Sequence, residues 1–187
     1  MRLAHLWDQS KCIGCGACIA ACNAANYASS TKENRTWGWI RSNIKRITFD
    51  LNAKPYLLLV QCQHCDNAPC VAVCPTGASY KDKDGLVKIN PSLCIGCKYC
   101  MTACPYGARW LDEDTGLPAK CMGEECLSRI SGGLEPMCVT VCPAGARAFG
   151  DIDDPKSEIS QKLRKGRVVK LLEYKGTQPK YFVVVGP

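Results

Sequence analysis

Cys94-Ile95-Gly96-Cys97-Lys98-Tyr99-Cys100-Met101-Thr102-Ala103-Cys104-Pro105-Tyr106-Gly107-Ala108 sets four cysteines two, two and three residues apart and ends on Cys-Pro-x-Gly-Ala. Cysteines spaced by two residues let one tight loop wrap three corners of a single compact metal cube. The fourth, expected at the start of a helix directed away, reaches a neighbouring cube. Gly96 lies between ligands, where a backbone drawn close to the cube takes up positive φ.

Cys12, Cys15, Cys18 and Cys22 repeat this spacing, with Gly14 and Gly16 between ligands. It is the spacing of bacterial ferredoxins, which hold 4Fe-4S clusters. Cys62, Cys65, Cys70 and Cys74 keep the final gap and lengthen the middle one to Asp66-Asn67-Ala68-Pro69, and Cys121, Cys126, Cys138 and Cys142 open wider still. Cys-Pro-x-Gly-Ala closes the second, third and fourth groups, at Cys74, Cys104 and Cys142. Its proline removes a donor and fixes φ as the chain leaves the cluster. Cys22 departs from the pattern, being followed by Asn23.

Sixteen cysteines beside three phenylalanines in 187 residues leave little side-chain bulk for a core, so clusters are expected to fill it. Eight disulfides would suit a secreted chain. Met1 to Trp7, however, leads into Cys12 without a basic leader, a long apolar stretch or a cleavage site. Zinc is the nearest rival metal, but a zinc ribbon uses two pairs a dozen or more residues apart rather than a trio with a fourth Cys-Pro. The formal charge is +7. A loaded 4Fe-4S site with four thiolates contributes roughly −2, so four of them bring the chain to about −1. The basic excess is therefore a counterweight to clusters, and no basic run interleaved with aromatics indicates nucleic acid. The longest apolar runs, Tyr56 to Val60 and Tyr181 to Val185, reach about a quarter of the ~20 residues a spanning helix needs, so no direct membrane span is expected.

Between the first two groups, Ile44, Ile47, Phe49 and Leu51 alternate loosely and Pro55 precedes Tyr56-Leu57-Leu58-Leu59-Val60, which predicts two strands. Tyr80-Lys81-Asp82 and Leu86-Val87-Lys88-Ile89 flank Lys83-Asp84-Gly85, a hairpin signature. Asp153-Asp154-Pro155 is expected to cap a helix over Ser157 to Lys165 that ends at Gly166. Two β-like runs follow, Val168 to Tyr174 and Tyr181 to Val185.

Taken in this order, the four groups resemble the four-cluster ferredoxin-type iron-sulfur subunit of molybdopterin oxidoreductases of the DMSO reductase family. The resemblance spans nearly the whole chain. It is carried by Cys62-Gln63-His64-Cys65-Asp66-Asn67-Ala68-Pro69-Cys70, Pro75-Thr76-Gly77-Ala78 and Asp84-Gly85-Leu86-Val87. Gly145-Ala146-Arg147-Ala148-Phe149-Gly150-Asp151-Ile152-Asp153-Asp154-Pro155 is similar to the stretch after the last cysteine in polysulfide and thiosulfate reductases.

The resemblance implies an α+β fold of two fused ferredoxin-like domains, with short strands, short helices and long cluster-binding loops. Residues 1–26 with 105–150 would form one, residues 27–104 the other, and residues 151–187 a tail packed on the core or on a partner. It implies four 4Fe-4S clusters held crosswise. Cluster one would use Cys12, Cys15, Cys18 and Cys142; cluster two Cys22, Cys121, Cys126 and Cys138. Cluster three would use Cys62, Cys65, Cys70 and Cys104; cluster four Cys74, Cys94, Cys97 and Cys100. The family's fourth motif usually opens Cys-x2-Cys, whereas Cys121-Met122-Gly123-Glu124-Glu125-Cys126 is two residues longer. Its two acids are expected to lower the potential of the adjacent cluster.

The implied role is electron transfer between a molybdopterin catalytic subunit, near cluster one, and a quinol-interacting membrane anchor, near cluster four. Sulfur, polysulfide or thiosulfate would be reduced in anaerobic respiration; tetrathionate, arsenate and dimethyl sulfoxide remain open. The chain would be membrane-associated through its partners, with the extracytoplasmic face favoured. The rival reading is a free-standing soluble polyferredoxin, which should carry an acidic docking surface and no extra tail. No phosphate loop or nucleophile-base pair suggests catalysis by this chain. His64, between ligands, fits a hydrogen bond to a cluster, a partner-facing role or plain structure. His5 is expected at the surface, and Trp37, Trp39 and Trp110 as covers over the clusters.

Overall fold

The structure, a computed structural model, describes residues 1–27, 45–51, 54–112 and 114–186. Ile44, Trp37 and Trp39 lie outside them.

Every cysteine group builds the same local unit. A loop leads into a short helix, and except after the first group a tight turn leads out into a strand. The helices are α1 (Ala17–Tyr27), α2 (Pro69–Ala72), α3 (Tyr99–Thr102), α4 (Glu124–Ser131) and α5 (Met137–Thr140). The fourth cysteine therefore does not open a helix, as the spacing suggested. Cys22 lies inside α1, and Cys74, Cys104 and Cys142 follow helices that carry Cys70, Cys100 and Cys138. The three-residue gap is about one helical turn, which sets the fourth cysteine one turn further along the axis than the third. α1 packs on α5 and α4, and α2 packs on α3, so the units associate crosswise.

The strands are β1 (Leu3–Asp8), β2 (Lys45–Leu51), β3 (Lys54–Val60), β4 (Ser79–Lys81), β5 (Val87–Ile89), β6 (Arg109–Leu111), β7 (Pro118–Lys120), β8 (Arg147–Asp151), β9 (Val168–Lys170) and β10 (Tyr181–Val184). Three antiparallel pairs, β2–β3, β4–β5 and β6–β7, stand alone. The first two are the strands and the hairpin expected from sequence. In the β4–β5 turn, Asp82 Oδ1 accepts from the amides of Asp84 at 3.0 Å and Leu86 at 2.8 Å.

The remaining strands form one sheet in the order β8-β1-β10-β9. β1 runs antiparallel to β8 and parallel to β10, with His5 opposite both Phe149 and Tyr181. Because successive side chains of a strand alternate faces, β1 serves two layers. Ala4 and Leu6 pack with Ile159 and Leu163 of α6 (Glu158–Lys165). Leu3 and Trp7 pack among cysteines. His5 belongs to this inner face and is fully buried, not at the surface, because strands cover it on both sides.

The tail packs on its own core. Ser157, rather than the preceding aspartates, caps α6, its Oγ accepting from the Ser160 amide at 3.2 Å. The first β-like run is shorter than expected, Leu172 turning the chain into a 3-10 helix over Glu173–Lys175. Thr177 to Lys180 then clasp the second cysteine loop. The Asp66 and Asn67 amides donate to the carbonyls of Gln178 and Thr177, and Lys180 N–H donates to Gln63 O while its own carbonyl receives His5 N–H.

Candidate metal centres

The fold draws twelve of the sixteen thiols into three cavities. Cys12, Cys15, Cys18 and Cys142 line one cavity, walled by Trp7, Ile19 and Leu59. Cys62, Cys65, Cys70 and Cys104 line another, against Val87 and Tyr106. Cys74 lines a third with Cys94, Cys97 and Cys100. In each, one loop brings three cysteines and a distant motif brings the fourth. Cys22, Cys121, Cys126 and Cys138 are all buried. Burial pushes the Cys121 thiol well up, and Cys22 and Cys138 beside it add to the rise. Cys138 is raised likewise, with Cys126 as its acidic neighbour.

The Cys-Pro-x-Gly-Ala repeat is a turn that returns an amide to the sulfur it starts from. Gly77, Gly107 and Gly145 donate to the carbonyls of Cys74, Cys104 and Cys142 at 3.4, 3.2 and 3.1 Å. Proline in the second position and glycine in the fourth suit such a turn. The glycines have φ of +70°, +54° and +57°, which a Cβ would penalise. Past the glycine the chain swings back. Ser79 N–H donates to Cys74 Sγ, and Ala146 N–H to Cys142 Sγ, both at 3.3 Å. Although its slight burial opposes this, the Ser79 amide and Thr76 hold the Cys74 thiol below its usual range.

Most other shifted thiols move the opposite way. Burial pushes Cys65 up to about 12, against a hydrogen bond from Thr177. Burial also raises Cys18, Cys100 and Cys104. Such thiols stay protonated and inert unless a soft metal takes the place of the proton on sulfur. Three cavities each lined by four thiols and no carboxylate, with the four remaining cysteines buried, offer the donor set that iron-sulfur clusters require, so the residues fit the group.

Three buried cations lie among the tetrads: Arg109, Lys120 and Arg147. Burial opposes the Arg147 charge, but Cys138, Tyr181, Cys18 and Cys121 outweigh it and raise its pKa. Arg109 is raised in the same way, by Cys70, Cys100 and Cys62 against burial. Lys120 is lowered by burial although Cys62 and Cys121 pull it up, and its Nζ donates to the Cys121 carbonyl.

Between Cys121 and the Cys62 loop lies a polar interior. His5 Nε2 stands 4.0 Å from Cys121 Sγ, and Gln61 Nε2 reaches the same sulfur at 4.0 Å. The His5 and His64 rings are 6.0 Å apart. His64 Nδ1 accepts from Val87 N–H at 3.0 Å, so its proton sits on Nε2. Burial, followed by Arg147 and Lys120 for His5 and by Lys120 for His64, keeps both pKa values well below the ordinary one. His64 is buried and does not face a partner. Trp110 is buried as well. Sequence reasoning passed over Trp7, Gln61 and the two arginines. For the arginines a signal was present, since Arg109 and Arg147 both follow Cys-Pro-x-Gly-Ala directly.

The family model described as a 4Fe-4S dicluster domain matches residues 54–152, and a second model of the same description matches residues 11–78. The chain is 42% identical to the B subunit of polysulfide reductase from Wolinella succinogenes, over 95% of this chain and 91% of that protein. It is 41% identical to protein NrfC of Escherichia coli, over 98% of this chain and 81% of that protein. It is 42% identical to thiosulfate reductase electron transfer subunit PhsB of Salmonella typhi, over 83% and 78% respectively. The chain belongs to the 4Fe-4S dicluster-domain family and is an iron-sulfur electron-transfer protein.

Proposed function

We propose that the four tetrads hold four 4Fe-4S clusters and that the chain is the electron-transfer subunit of a membrane-associated molybdopterin oxidoreductase. When bound, the clusters supply one-electron redox chemistry at potentials set by charge, hydrogen bonds and solvent exposure. Cys12, Cys15, Cys18 and Cys142 would hold cluster one, and Cys22, Cys121, Cys126 and Cys138 cluster two. Cys62, Cys65, Cys70 and Cys104 would hold cluster three, and Cys74, Cys94, Cys97 and Cys100 cluster four. Residues 1–26 with 105–150, and residues 27–104, would be the two ferredoxin-like halves.

One observation carries the relay reading. Of the sixteen cysteines only Cys15 and Cys97 are exposed, one in the first tetrad and one in the fourth. Ile13 stands 69% exposed beside Cys15, and Ile95 and Tyr99 stand 67% and 64% exposed around Cys97. Large apolar side chains grouped on a surface mark docking sites. The lip at Ile13 suits the molybdopterin subunit and the lip at Ile95 and Tyr99 the quinol-interacting anchor. Among the described residues no helix is long and apolar enough to cross a membrane. Likeness to polysulfide and thiosulfate reductase subunits supports a sulfur compound as acceptor.

Anaerobic purification of the chain from its native cells tests this. A molybdopterin-containing large subunit and a membrane protein should co-purify, and the complex should reduce polysulfide or thiosulfate with quinol. Recovery as a free monomer that serves several enzymes would sink the subunit reading and favour a polyferredoxin.

A further inference from the structure

Cys104-Pro105-Tyr106-Gly107-Ala108-Arg109 and Cys142-Pro143-Ala144-Gly145-Ala146-Arg147 place arginine at the same point, the first residue of the strand that leaves the turn. Arg109 is 5% exposed and Arg147 3%. Arginine is almost never buried so deeply unless paired. Among the described residues, neither has a carboxylate within ion-pairing distance. Lys180, equally buried, does have one, with Asp66 Oδ1 3.2 Å away.

Each arginine instead gives one Nη2 to a neutral acceptor. Arg109 donates to Ser79 Oγ at 2.7 Å, and Arg147 donates to Gln61 Oε1. The Nη1 of both and the Nε of Arg147 meet no hydrogen-bond partner. What surrounds them is sulfur. Arg109 lines the cavity of Cys62, Cys65, Cys70 and Cys104 and also that of Cys74, Cys94, Cys97 and Cys100. Arg147 lines the cavity of Cys12, Cys15, Cys18 and Cys142, and its Gln61 acceptor in turn reaches Cys121 of the remaining tetrad.

We propose that Arg109 and Arg147 are matched electrostatic bridges, one between clusters three and four and one between clusters one and two, whose guanidinium is shared by the two clusters it bridges and holds both at a raised reduction potential. The proposal rests on the tetrad assignment above. An added electron makes a cluster more negative, and a fixed cation in a low-dielectric interior favours that change. Spare N–H groups directed at cluster sulfur act in the same direction. Both residues are positioning residues, since their charge acts on the clusters while the cysteines hold them.

The test is a redox titration, followed by electron paramagnetic resonance, of the anaerobically purified complex and of Arg109→Gln, Arg147→Gln, Arg109→Lys and Arg147→Lys, with clusters assigned through cysteine-to-serine variants. Iron content is measured first. About sixteen iron atoms per chain in the unaltered complex establish the tetrads, and about eight would sink that assignment independently of the arginines. Arg109→Gln should then move the reduction equilibria of clusters three and four at least tenfold toward oxidised, about 59 mV for one electron, and leave one and two in place. Arg147→Gln should do the reverse, and each lysine variant should recover at least half of the shift. A shift confined to one cluster, an equal shift in all four, or lysine variants that behave like glutamine overturns the proposal. Should a glutamine variant lose the iron of the two clusters it bridges, retention of full iron by the matching lysine variant supports the bridge, and equal loss in both overturns it.

Discussion

Asn26 and Cys126, one hundred residues apart in the chain, hold each other through one side-chain amide. Asn26 Nδ2 donates to Cys126 Sγ at 3.4 Å, and Asn26 Oδ1 accepts from the Cys126 backbone N–H at 3.3 Å. The pair ties the helix of the first cysteine group to that of the fourth. Asn26→Ala removes a donor from a ligand sulfur and leaves an N–H unmet. The reduction equilibrium of cluster two should fall roughly tenfold, the size of a hydrogen bond to a charged group. A redox titration in which clusters one, three and four stay in place is the expected record.

The crosswise tetrads make a second prediction. Cys142 stands four positions from Cys138 in sequence but lines the cavity of Cys12, Cys15 and Cys18. Cys142→Ser should perturb the spectrum of cluster one, and Cys138→Ser that of cluster two. Spectra with these effects exchanged would refute the assignment.

Gly77 isolates backbone strain from crowding. Its φ is +70°, and a Cβ built there meets nothing within 4 Å. Gly77→Ala should therefore cost about 1–2 kcal/mol from conformation alone, and Gly77→Asn less, since asparagine visits the left-handed region more readily. The denaturant concentration at which the visible cluster absorbance is lost should rank unaltered protein above Asn above Ala. Equal midpoints would mean that the turn relaxes without penalty.

Iron removal should unfold the chain. Without clusters, Arg109 and Arg147 would remain buried with no carboxylate beside them, and an uncompensated buried charge is strongly destabilising. Stripping the iron anaerobically with a chelator should abolish the far-ultraviolet signature of the sheet and helices, and iron with sulfide should restore it. A stripped chain that keeps its signature would show that side-chain packing suffices.

The cysteine loops and the hairpins were legible because their causes are local. Seven residues decide how Cys94, Cys97 and Cys100 converge, and Asp82 with its neighbours decides the β4–β5 turn. His5 was misplaced because its burial comes from Phe149 and Tyr181, strand partners more than 140 residues away. The tail's second run was visible as a strand, but its parallel pairing with β1 depends on tertiary packing that no short pattern encodes. The bridging arginines sit one residue beyond the point where the repeat reads as Cys-Pro-x-Gly-Ala. Extended by that residue it becomes Cys-Pro-x-Gly-Ala-Arg in the third and fourth groups and Cys-Pro-x-Gly-Ala-Ser in the second, and that serine is the one that Arg109 bonds.

The parallel pairing of β1 with β10 also sets a timetable for biosynthesis. A ribosome delivers Leu3–Asp8 first and Tyr181–Val184 only after nearly every other described residue has emerged. Until then one edge of β1 has no strand beside it, and the Gln63–Asn67 loop lacks the tail backbone that clasps it. A chain that stalls short of Tyr181 is therefore expected to leave that edge of β1 open and the Gln63–Asn67 loop unclasped.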